Sequence, residues 1–286
     1  MFTRQGHSPV KFPRILGIEA TGVVEEAPGS EDKLQQGDIV GTAMGGMGRA
    51  FDGGYAEYTC VPASQVQIIK TGKSFPWEII GSLPETMQTV WGALFQTLHL
   101  KQNDRLLIRG GTSSIGLAAA AIAKQHGVFV AATTRKPERE ELLLANGADQ
   151  VFIDNGTLAG QVKQMGGFNK VLELVGTSTM DDSLQCVDVG GIVSMVGIVG
   201  GRWAVNDGWS ANASIPTGVF LTAYHSSPEA FMNTPLDTII ERLGMDTLKR
   251  LVGKTFYGLD KIVEAHQWMD ESKAGGKIVV VLDSEH

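Results

Sequence analysis

The densest group of chemically capable residues in the chain is Gly110-Gly111-Thr112-Ser113-Ser114-Ile115-Gly116, set between a strand-like run at 105–109 and a helix-forming run at 117–124. Strand, glycine turn and helix in that order aim backbone N–H groups and a helix N-terminus at one point, an arrangement that suits a pyrophosphate. Gly110 and Gly116 lack the β-carbon that would hold the backbone off a ligand or the helix off the strand. The spacing departs from G-x-G-x-x-G, because Ser113 and Ser114 stand where small, backbone-exposing glycines are usual; their hydroxyls are candidates to donate to phosphate oxygens. Thr112 and Ile115 complete the candidate cradle. The alternative reading is a strand-to-helix connection that uses glycine for tight packing alone.

The residues beyond the turn favour dinucleotide binding. Residues 128–133 read as a second strand at the separation a βαβ unit requires, and Thr134-Arg135-Lys136 stand at its end. NAD-binding domains commonly place an acidic residue about 20 positions beyond the glycines for the ribose 2′-hydroxyl, whereas arginine suits a 2′-phosphate. Thr134 and Arg135 are therefore candidate cofactor residues, and NADPH is the expected cofactor. Alternatively, Arg135 and Lys136 simply precede the helix begun at Pro137.

The 286 residues suffice for a large core in one or two domains. A net charge of −7 and the lack of any lysine/arginine run argue against a nucleic-acid surface. The two cysteines, Cys60 and Cys186, form no C-x-x-C, so neither a disulfide framework nor a cysteine-based zinc site is expected. No stretch is long and apolar enough to span a bilayer, and the opening residues show no signal core; the expectation is a cytoplasmic protein without membrane partners. Residues 22–24, 38–41, 55–59 and 66–69 read as short β segments between glycine turns. The apolar spacing is helical from 77 to 100. Strands at 151–153, 171–175 and 192–196 then alternate with helices, which implies a mostly parallel sheet covered on both faces. Helices at 236–243 and 259–270 and a strand at 277–282 close the chain.

Residues 16–24, 37–40, 53–58, Leu83-Pro84 with 88–91, the glycine turn and 274–279 together resemble, in order, the medium-chain dehydrogenase/reductase superfamily. Within it the chain is similar to the zinc-independent quinone oxidoreductase and enoyl reductase branch. The resemblance implies an α/β fold in which a doubly wound Rossmann domain, residues 86–245, is inserted into a GroES-like β domain, residues 1–85 and 246–286. It also implies that this GroES-like domain is shortened at its start, and that Phe2 stands near a position where relatives often carry a tyrosine. Where zinc-dependent relatives have Gly-His-Glu, this chain has Gly17-Ile18-Glu19, and isoleucine offers a metal no lone pair. No metal site is expected, and the six histidines are scattered. Without a metal to polarise a carbonyl, the expected reaction is hydride transfer to a quinone or an activated C=C bond, whose own conjugation takes up the electron pair.

By the same resemblance Thr89, Val175, Gly176, Val196, Gly197 and Ile198 join the cofactor-binding set, the last five at the carboxyl ends of strands, where open parallel sheets bind ligands. Tyr55 is the candidate catalytic phenol for proton relay, with a structural tyrosine as the alternative. Phe2, Met44, Met47 and Phe51 are candidates for an apolar substrate wall, although such residues more commonly fill cores. Glu173, in an otherwise apolar strand, reads as a buried carboxylate tying loops together. Relatives dimerise through a sheet edge, and residues 217–224 have the content of such a strand, so a homodimer is expected. The leading functional expectation is an NADPH-dependent quinone or enone reductase acting on a small conjugated substrate. Two alternatives are a non-redox cyclase, dehydratase or isomerase reusing the pocket, and a catalytically silent NADPH-binding protein.

Overall fold

The computed structural model describes residues 3–6 and 10–282. The chain divides into two compact units, Met1–Gln88 with Ser226–His286, and Thr89–His225.

The first unit opens with a three-stranded antiparallel sheet, β1 (Glu19–Val23), β2 (Ile39–Ala43) and β3 (Val66–Ile68), in that spatial order. Residues 55–59, expected as a strand, form none: 55–58 are bends and 59 is irregular. The N–H groups of Gly53, Gly54 and Tyr55 donate to the carbonyls of Ile15, Gly17 and Leu16, an irregular clasp around Gly17 (φ 105°) that no regular ladder can match. The helical stretch expected over 77–100 is also broken. Helix α1 (Trp77–Ile80) stops at Gly81, α2 (Pro84–Trp91) restarts with proline in its first turn, and the chain continues as a π-helical segment, Gly92–Thr97.

The second unit alternates strands and helices: β4 (Arg105–Arg109), α3 (Ser114–Gln125), β5 (Phe129–Thr134), α4 (Glu140–Ala145), β6 (Gln150–Ile153), α5 (Ala159–Gln164), β7 (Phe168–Glu173), α6 (Met180–Leu184), β8 (Val187–Met195), α7 (Ala211–Ser214) and β9 (Phe220–Ala223). The six strands form one sheet in the order β6-β5-β4-β7-β8-β9, and every neighbouring pair is parallel. This is the doubly wound order, with its switch point between β4 and β7 and its ligand crevice at the carboxyl ends of the strands. The alanine-rich α3 is buried from Gly116 to Ala123, because small side chains let a helix lie close against a sheet. Leu107, Phe168, Val171, Leu184 and Val193 fill one face of the sheet. At its margin β9 is an edge strand, and Phe220 is 61% exposed.

The chain then returns to the first unit with α8 (Pro228–Met232), α9 (Leu236–Leu251), β10 (Val252–Tyr257), α10 (Ile262–Asp270) and β11 (Lys277–Val281); β10 and β11 pair in parallel. Helix α9 bends at Gly244, where φ 69° and ψ 168° lie outside the helical region. Residues 226–245, which the sequence assigns to the Rossmann domain, belong to the first unit. Their polar ties explain why: Asp237 accepts from the Thr71 N–H and hydroxyl, and the Gln67 amide donates to the carbonyls of Phe231 and Thr234. A half-buried ion pair, Lys277 with Glu19, joins the last strand to the first, while the other oxygen of Glu19 accepts the Glu85 N–H at the start of α2. Burial alone would lower the Lys277 ammonium, but Glu19 and Glu85 outweigh it and hold it above the usual lysine range.

Among the described residues, no helix is long and apolar enough to cross a membrane. Cys60 is exposed, whereas burial, aided by Asp182, pushes the Cys186 thiol up to about 12. An aromatic disulfide reagent at pH ~8 is therefore expected to titrate one thiol in the native protein and both in denaturant. Two fast thiols in the native protein would show that the core around α6 is open.

Candidate functional site

The glycine turn is built as the strand, turn and helix order requires. Gly110 leaves β4 with φ 87°, a conformation that a β-carbon disfavours. A β-carbon on Gly116 would lie 2.5 Å from the Gly111 carbonyl oxygen, so the first turn of α3 rests directly on the loop backbone. Gly111 is equally confined, against Ala132 and Leu143. Two bonds from β5 hold the loop: the Gly110 N–H donates to Thr133 Oγ1 (3.1 Å) and the Gly111 N–H to the Thr133 carbonyl (3.0 Å).

Ser113 corrects one expectation. Its hydroxyl is the N-cap of α3, accepting from the Gly116 N–H (3.1 Å) and donating to the Gly110 carbonyl (2.9 Å), so its proton is spent inside the loop. Ser114 comes next as the first helical residue. The N–H groups of Thr112, Ser114 and Ile115 have no acceptor among the described residues. An anion-accepting cluster of three N–H groups at a helix start is the result.

The other expected cofactor positions lie at the carboxyl ends of neighbouring strands. Thr134 ends β5 and folds its hydroxyl back onto the Lys136 backbone. Arg135 is exposed and has no carboxylate partner among the described residues. Val175–Gly176 and Val196–Ile198 are zipped together, since the Val199 and Gly200 N–H groups donate to the Leu174 and Val175 carbonyls. A β-carbon on Gly197 would meet the Leu174 carbonyl at 2.5 Å. The N–H groups of Val175 and Gly176 are already used, both by Glu173 Oε1 (2.7 and 3.1 Å). Thr89 is buried on α2, at the start of the second unit.

In the first unit, Met44, Met47 and Phe51 share the loop after β2, but Met47 is sealed in the core at 1% exposure, so only Met44 and Phe51 keep accessible surface. Phe2 lies outside the described residues. The Tyr55 hydroxyl is 2.9 Å from His266 Nε2, with the rings edge to face. Burial, assisted by Glu19, raises the Tyr55 phenol, and burial, assisted by Arg4, lowers His266. The phenol is thus joined to an imidazole whose uncharged form is favoured, a pair through which a proton can pass.

The largest polar feature of the second unit is one that motif reading passes over. Arg109, the last residue of β4, is fully buried and forms a two-pronged pair with Asp154 (Nε–Oδ2 2.8 Å, Nη2–Oδ1 3.0 Å). Its Nη1 donates to Asp182 (2.6 Å), Ser183 Oγ (3.1 Å) and the Thr179 carbonyl (3.2 Å). Ser183 donates onward to Glu173, which also accepts from Thr179 Oγ1. Glu173 therefore ties the loops after β7, as its sequence context suggests. The one sequence signal for Arg109 is a basic residue directly after Leu106-Leu107-Ile108 in a strand.

Residues 1–71 match the family described as alcohol dehydrogenase GroES-like domain, and residues 114–231 match the family described as zinc-binding dehydrogenase. The chain belongs to the medium-chain dehydrogenase/reductase superfamily. Among its relatives in that superfamily, the quinone oxidoreductase of Pongo abelii is 27% identical over 282 residues, 95% of this chain and 80% of that protein. A mycobacterial protein solved in complex with NADPH is 26% identical, with a TM-score of 0.83 over 98% of this chain and 86% of its own. Escherichia coli quinone oxidoreductase, solved with NADPH, is 20% identical with a TM-score of 0.81 over 98% of this chain and 86% of its own, and it shares the fold. Among the described residues of this superfamily member, no group of three or more His, Cys, Asp or Glu side chains is placed to hold a metal ion.

The turn and its support are open to separate tests. Gly116→Ala forces a β-carbon onto the Gly111 backbone and is expected to destabilise the protein by about 1–3 kcal/mol, read from denaturant unfolding. A neutral effect would mean that α3 can lift away from the loop. For Asp154, burial alone would raise the carboxyl, but the Arg109 guanidinium and the Gly156 N–H hold it below the usual range. A folded-state pKa below the unfolded one gives stability that is full above the unfolded value and lost as pH falls through the folded value. Asp154→Asn should therefore flatten the acid limb of the stability profile, and an unchanged limb would contradict the ion pair.

Proposed function

We propose that this chain is an NADPH-dependent, zinc-independent reductase that transfers hydride to a quinone or an activated C=C bond of a small conjugated substrate. The observation that carries the reading is the cradle of Thr112, Ser114 and Ile115 N–H groups over Gly116, with Arg135, which has no carboxylate partner among the described residues, at the end of the neighbouring strand. The NADPH-bound mycobacterial relative and the quinone oxidoreductases among the relatives support it. Bound NADPH supplies the hydride.

The chain's own residues do the rest. The three N–H groups donate to the pyrophosphate, and the start of α3 adds the favourable end of its dipole. Arg135 pairs with the 2′-phosphate. Val175–Gly176 and Val196–Ile198 present glycine-flattened backbone toward the nicotinamide, with Thr89 as a further contact. Met44 and Phe51 offer soft apolar surface to the substrate, and Tyr55, joined to His266, relays a proton. Ile18 in the place of a histidine ligand supports a reaction without zinc, because a conjugated acceptor needs no Lewis acid to take up hydride. The acidic composition, with no helix among the described residues long and apolar enough to cross a membrane, supports a cytoplasmic enzyme. The bare, apolar edge of β9 supports a homodimer whose sheets run on across a two-fold axis.

Incubation with NADPH and a panel of quinones and enones should show cofactor oxidation that survives a strong zinc chelator. Cofactor binding without oxidation by any member of the panel would sink the reductase. Arg135→Ala is expected to weaken NADPH by about 1.5–3 kcal/mol and NADH far less, since only NADPH has the phosphate contact to lose. Equal losses would make Arg135 a solvated helix-start residue. In light scattering at micromolar concentration a dimeric mass is expected, and Phe220→Pro, which removes a ladder donor, should give the monomer.

A further inference from the structure

The buried cluster around Arg109 does more than fill space. One cation faces three carboxylates, Asp154, Asp182 and Glu173, the last through Ser183. All lie at the carboxyl edge of the sheet, where the phosphates of a dinucleotide are proposed to bind. Arg109 is bonded in sequence to Gly110, the first residue of the turn. The Asp154 N–H donates to the Thr134 carbonyl (2.8 Å), and its Oδ2 lies 3.5 Å from the Thr133 hydroxyl that holds the Gly110 N–H, so this carboxylate stands beside the end of β5 that carries Arg135. Charges buried this deeply are poorly screened by salt or water. Left without the guanidinium, Asp154 and Asp182 would set a negative field directly behind an anion cradle, while burial raises Glu173 and favours its uncharged form.

We propose that Arg109 is a specificity-determining positioning residue: its charge offsets part of the carboxylate charge behind the glycine turn and so sets how strongly this edge prefers NADPH to NADH. The inference rests on the NADPH reading above. NADPH carries the 2′-phosphate that NADH lacks, so its affinity must respond more steeply to any net charge added or removed in the cluster. A residue that only held the loops in shape would alter both affinities alike.

The test is the ratio of NADH to NADPH dissociation constants, measured by titration of cofactor fluorescence for the parent and three variants. Arg109→Gln removes one unit of positive charge behind the cradle and should reduce the ratio about tenfold. Arg109→Lys keeps the charge but loses the two-pronged geometry; melting temperature should fall while the ratio stays within about twofold of the parent. Asp154→Asn makes the cluster more positive and should raise the ratio about threefold, the opposite direction from Arg109→Gln. Equal losses of both cofactors in Arg109→Gln, a ratio as damaged in Arg109→Lys as in Arg109→Gln, or an unmoved ratio in Asp154→Asn would each overturn the proposal. Should Arg109→Gln fail to fold, the other two variants decide. Failure of the parent to bind either dinucleotide would overturn both readings, whereas intact binding with an unmoved ratio would overturn this one alone.

Discussion

A guanidinium cannot shed its charge, so burying one obliges the fold around it to supply anions and acceptors. Arg109 is fully buried at the end of the central strand, and much of the carboxyl edge of the second unit can be understood as the answer to that obligation. Asp154 ends the β6 side, Asp182 comes from α6, and Thr179 and Ser183 carry the arrangement to Glu173 at the end of β7. Glu173 then collects the Val175 and Gly176 N–H groups and so shapes the loop above. The glycine turn follows Arg109 directly in the chain, and Thr133 holds it from the side.

The first unit solves a similar problem on a smaller scale. Lys277 and Glu19 are drawn from opposite ends of the chain, and Glu19 also caps the helix that leads out of the unit. In both units, then, a charge pair at least partly withdrawn from water fixes the start or end of the element whose backbone must be placed accurately. The apolar contacts of the six-stranded sheet supply most of the stabilisation; the ion pairs specify which loops meet.

Much of this is legible in the sequence. The alternation of strands and helices from 105 to 224 and the glycine turn are read from apolar periodicity and glycine placement, which act over short distances; the return of the chain to its first unit comes from the family resemblance. Three things escape that reading for physical reasons. The 55–59 run has strand-forming residues, but its partner is an irregular clasp at 15–17, and pairing partners are not a local property. Ser113 resembles a phosphate donor because residue type does not show which way a hydroxyl turns; the N-cap position claims it. Asp154 and Asp182 lie 45 and 73 residues beyond Arg109, so no spacing rule could join them, and only the closed sheet does.

That distance along the chain governs how the edge comes into being. Asp154 and Asp182 arrive on elements well beyond β4 in the chain, and until both are in place the guanidinium must remain in water. A half-assembled edge, with the arginine buried and one anion missing, is heavily disfavoured. The loops after β4, β6 and β7 are therefore expected to open and close as one cooperative unit, so that amide exchange across all three shares a single opening free energy instead of fraying loop by loop.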